Sequence, residues 1–129
     1  MVEYGTRNIE TIETRIAVES IKERVYLAVK ELCIGGSDVR GRLVTSVNIL
    51  MALSPDEFPE EIREDFNWVI QQSTKYKSDI PEYKSDLQVT MTRIKNSTGK
   101  KIAERIFNIY SRVQSIRGFP LLGSRKPSE

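Results

Sequence analysis

The sequence predicts an all-α fold, an antiparallel helical bundle of about four helices with a long last one. Two observations carry this. Apolar residues recur at helical spacing in four long segments. Three sites also carry helix-start chemistry: Ser37 or Asp38, Ser54 to Glu57, and Ser85 to Gln88. Short connections between the segments then favour antiparallel neighbours.

The first helix is expected from about Arg7 to Cys33, with Val18, Ile21, Val25, Ala28, Val29 and Leu32 on one face. Ile9, Ile12 and Ile16 form a second stripe on nearly the opposite side. Either the helix bends near Ala17, or its first turns face another surface. Gly35-Gly36 should end it, since glycine takes the left-handed conformation at little cost. A second helix follows, from about Val39 to Leu53. It is apolar nearly all round, which marks a central element.

Ser54-Pro55-Asp56-Glu57 reads as a capping box with proline at the first helical position. Pro59 cannot extend that turn comfortably, so a third helix should begin there and run to about Tyr76. Phe58, Ile62, Phe66, Val69 and Tyr76 form its buried face. A loop around Pro81 leads to the last helix, whose stripe runs Leu87, Met91, Ile94, Thr98, Ile102, Ile106, Ile109, Val113 and Ile116. The phase survives Asn96-Ser97-Thr98-Gly99, so one helix over about 86–117 is expected, roughly 45 Å long. It loosens at Gly99 if anywhere. Residues 1–118 then form one helical-bundle domain, and 119–129 an irregular tail.

Composition narrows the chemistry. The chain has 129 residues, 39% hydrophobic and 29% charged, a balance that suits one folded domain. It has no histidine, so the commonest general base and metal ligand are missing. Its single cysteine, Cys33, cannot build a four-cysteine zinc site or an internal disulfide. No catalytic residue, metal ligand or cofactor is therefore assigned. The longest apolar run, Ile49 to Leu53, is far short of the roughly 18–20 residues that span a bilayer, so no membrane partner is expected. The opening Met-Val-Glu-Tyr-Gly does not read as a secretory signal, and the cytoplasm is the expected location.

The net charge of +2 hides an uneven distribution: residues 54–66 carry −5 and residues 91–129 carry +7. Arg93, Lys100, Lys101, Arg105 and Arg112 project away from the last helix's apolar stripe, a ridge that could follow a phosphate backbone. The helix dipole alone also favours acids at helix starts and bases at helix ends. The two charge patches could equally pair, within one chain or between copies. Asn96 to Lys101 could hold a single anion if the helix breaks there.

The expected function is that of a non-enzymatic interaction or accessory protein that self-associates and binds a protein partner. Its candidate interface is Ile9, Ile12 and Ile16, with Trp68 off the stripe of its helix and Phe119, Leu121 and Leu122 in the tail. The alternative is nucleic-acid binding through the basic ridge. A carboxylate–metal nucleotide hydrolase ranks third. Glu10-x-x-Glu13, Glu57-x-x-Glu60 and Glu61-x-x-Glu64 set carboxylates three apart, a spacing through which all-α nucleotide pyrophosphohydrolases hold magnesium. The Glu-x-x-Asp motif that completes their site is missing.

Overall fold

The structure, a computed structural model, describes residues 20–116. Among these residues every regular element is helical and none is a strand. Helix α1 covers residues 20–34, α2 Val39–Leu50, α3 Glu60–Ser73, α4 Asp86–Arg93 and α5 Asn96–Gln114. The predicted early turns of the first helix, the tail from residue 119 and the domain boundary at 118 lie outside the described residues.

Local chemistry sets most boundaries. Asp38 caps α2, its carboxylate accepting from the backbone N–H groups of Arg40 and Gly41. That bonding, to Gly41 foremost and then to the Arg40 side chain, lowers the Asp38 carboxyl from its ordinary pKa of 3.8. Ser54 and Glu57 form a reciprocal capping box around a 3-10 turn, Pro55–Glu57, and Ser85 and Gln88 form another at the start of α4. Helix α1 ends immediately before the glycine pair, as expected, but without a left-handed cap, since neither Gly35 nor Gly36 has a positive φ. Gly35 is needed for clearance: an added Cβ would lie 2.7 Å from both the Arg42 side chain and the Glu31 carbonyl oxygen. Helix α3 stops at Ser73 rather than Tyr76, with Thr74 back-bonding to the Ile70 carbonyl.

The last helix departs furthest from the expected architecture. Residues 86–117 are not continuous. Ile94 and Lys95 are extended, with ψ of 160° and 159°, and divide α4 from α5. The break lies ahead of Asn96, not at Gly99. Two tertiary contacts hold it. The Arg40 guanidinium donates to the Ile94 carbonyl at 3.1 Å, supplying a partner that the helix itself no longer offers. Gly99 is buried where α5 crosses α2, and a Cβ there would meet Val39 Cγ1 at 3.2 Å.

All described helices contribute to one core. Helix α2 packs against α3, α4 and α5, and the Ser46 hydroxyl joins it to the Ala28 carbonyl of α1 at 2.8 Å. Leu43, Val47, Leu50, Phe66, Ile102, Ile106 and Ile109 are buried together, as their stripes require. Helices α3 and α5 run antiparallel: Arg105 meets Asp65, while Arg112, two turns later, also reaches the Glu61 carbonyl.

Candidate functional surfaces

The expected basic ridge separates into three kinds of residue. Arg105 and Arg112 turn toward α3. The Asp65 carboxylate receives Arg105 Nη1 at one oxygen (3.1 Å) and faces Arg112 Nη1 from the other (3.4 Å). Arg112 also donates to the Glu61 carbonyl at 2.9 Å. Spaced seven apart, these arginines occupy one face of α5, and the helix pairing sets that face beside α3.

Arg93 belongs to α4, and its guanidinium lies 5.3 Å from the Tyr76 ring centre. Lys100 and Lys101 are exposed on the first turns of α5 and, with exposed Lys95, form no ion pair among the described residues.

Trp68 is half-buried against the core, with the Arg105 guanidinium 4.2 Å from its ring centre. It borders an open trough of about 500 Å³ on the outer side of α3, with Glu60, Arg63, Glu64, Asn67 and Gln71. The Arg63 guanidinium is drawn back to the Pro55 and Phe58 carbonyls. Ile9, Ile12, Ile16, Phe119, Leu121 and Leu122 lie outside the described residues.

Three further arrangements were not evident from the sequence. Asp65 is the hub of the α3–α5 contact, although in sequence it is one of six acids in a row of helix-start charges. Arg40 joins the N-terminus of α2 to the α4–α5 joint. Phe107, 53% exposed, and half-buried Tyr110 form an aromatic pair with ring centres 6.1 Å apart on α5. The period of four between Ala103 and Phe107, flanked by Tyr110, was the available signal for a second apolar face.

Glu10 and Glu13 lie outside the described residues, and the carboxylate pairs within them do not assemble a metal centre. Glu57 serves its capping box in the 3-10 turn, separated from Glu60 by extended Phe58 and Pro59. Among the described residues, no three His, Cys, Asp or Glu side chains come together as metal ligands. No described helix is long and apolar enough to cross a membrane. No family model matches the chain, and neither does any curated protein or solved structure.

Proposed function

We propose that this chain is a non-enzymatic helical interaction protein that associates with itself and with a protein partner, its helices forming one antiparallel bundle. The observation that carries the reading is the charge left exposed once internal pairs are accounted for. Asp56, Glu57, Glu60, Glu61 and Glu64 are exposed before and along the start of α3, while Arg93, Lys95, Lys100 and Lys101 are exposed around the α4–α5 joint. Because α3 and α5 are antiparallel, these groups lie toward opposite ends of the helix pair. Complementary potentials steer association and select partners. The test is light scattering across protein concentration at low and high salt. Association at low salt that weakens as salt rises supports the reading; a monomer throughout would overturn self-association.

The second reading, nucleic-acid binding, is favoured by the cluster of exposed bases at the joint. With Arg105 and Arg112 committed to Asp65, the residues to test are Lys95, Lys100 and Lys101. Changing all three to glutamine should flatten the slope of log affinity against log salt by about two to three units, at about 0.7–0.9 per phosphate. No binding to DNA or RNA at low salt would exclude it.

A further inference from the structure

We propose that the Ile94–Lys95 joint is a hinge through which two copies of this chain exchange α5, straightening α4 and α5 into one continuous helix. The proposal rests on the self-association reading and assigns it a mechanism.

The apolar stripe keeps its phase across the joint. Leu87, Met91 and Ile94 before the joint continue in register with Ile102, Ile106 and Ile109 after it, as one helix requires. Both sets are buried in the broken form. A sequence made only for two separate helices has no need to keep phase across the joint.

The joint itself is short and weakly capped. The break occupies just two residues in an extended conformation, the kind of short segment that absorbs a hinge rotation. Lys95, at the N-cap of α5, makes no side-chain capping hydrogen bond, unlike the starts of α2 and α4. Straightening would pair the first amides of α5 with the last carbonyls of α4 in the ordinary helical ladder. It would give up the hydrogen bond from Arg40 to the Ile94 carbonyl.

The contacts of α4 and α5 with α2 and α3 select the occupant. A straightened chain cannot keep both α4 and α5 on its own core, because α2 and α3 each contact both helices. The vacated groove is shaped for α5, including the Gly99 crossing and the Asp65 pocket for Arg105 and Arg112. Only the α5 of another copy restores all of these contacts, so the exchange conserves the interior and changes mainly the joint.

Two sets of variants test this. Asn96→Pro places proline at the first residue of α5, where it suits the broken form, after an extended Lys95 that tolerates a following proline. Inside a continuous helix the same ring would clash with the Thr92 carbonyl. The exchanged dimer should weaken by about 100-fold for each hinge, given proline's penalty in a helix interior. Asn96→Ala with Ser97→Ala, both exposed, should strengthen it. Second, Asp65→Arg alone and Arg105→Asp with Arg112→Asp alone each set like charges against each other within one chain. Unfolded and refolded together, the two proteins should form a one-to-one dimer by mass spectrometry, since exchange pairs opposite charges at both α3–α5 contacts. If the wild type associates but Asn96→Pro leaves it unchanged and the mixture yields no heterodimer, the hinge is wrong and self-association has another surface. A wild type that stays monomeric, with no heterodimer from the mixture, overturns both.

Discussion

Two buried serines show how much one hydrogen bond decides. Ser46 and Ser73 are both fully buried. Ser46 donates to the Ala28 carbonyl, whereas the Ser73 hydroxyl has no partner among the described residues. An unsatisfied buried hydroxyl costs its desolvation, while a satisfied one contributes about 1 kcal/mol. Ser46→Ala should therefore destabilise by about 1 kcal/mol, and Ser73→Ala should be neutral or stabilising by up to about that amount. Urea denaturation of both variants checks this, and equal losses would contradict it. Asp38 provides a pH signature at the same scale. Its carboxyl is lowered in the folded state, so its contribution is fully present above its ordinary pKa of 3.8 and is lost as the pH falls through the lower folded value. Asp38→Asn should be less stable than wild type at pH 6, and the gap should close as the pH falls below about 3.8. A gap independent of pH would assign the loss to packing.

Among the elements, α5 carries the most regular stripe and should be the least tolerant of truncation. Ile106 is fully buried at its centre. Ile106→Ala should cost about 2–5 kcal/mol, the range for emptying a packed aliphatic site. A loss below about 1 kcal/mol, read from the denaturation midpoint, would place Ile106 outside the core. The α3–α5 contact is held differently. Asp65 is only 18% exposed at its side chain, but Arg105 and Arg112 remain partly in water, at 35% and 52%. Solvent screening limits each pair, so a double-mutant cycle on Asp65 and Arg105 should return about 1 kcal/mol or less. A coupling near zero would leave the Trp68 stacking as the main role of Arg105.

At the scale of the whole molecule, the exposed acids before and along the start of α3 are set apart from the exposed bases at the α4–α5 joint. Changing Lys95, Lys100 and Lys101 together to glutamate should weaken association most at low salt, because screening already suppresses the interaction at high salt. These side chains are exposed, so the thermal unfolding midpoint should move little. A variant that associates as wild type does at every salt concentration would leave the charge separation without a role in assembly.

Much of the fold was legible in the sequence for local reasons. Helical spacing identified the stripes that form the core, since the 3.6-residue repeat assigns each apolar residue to a face before any partner is known. Ser54 with Glu57 and Ser85 with Gln88 marked element starts, because a capping box is complete within four residues. The interruption at Ile94–Lys95 was not legible. It depends on Arg40, 54 residues away, and on Gly99 meeting α2, while the stripe itself stays in phase. The charges divide in the same way. The sequence alone determined that acids gather before and within α3 and bases toward the C-terminus. Only the antiparallel contact of α3 and α5 decided that Arg105 and Arg112 hold Asp65, while Lys95, Lys100 and Lys101 remain exposed. Periodicity and caps are properties of neighbours along the chain; the choice among charge partners depends on distances that exist only once the helices have packed.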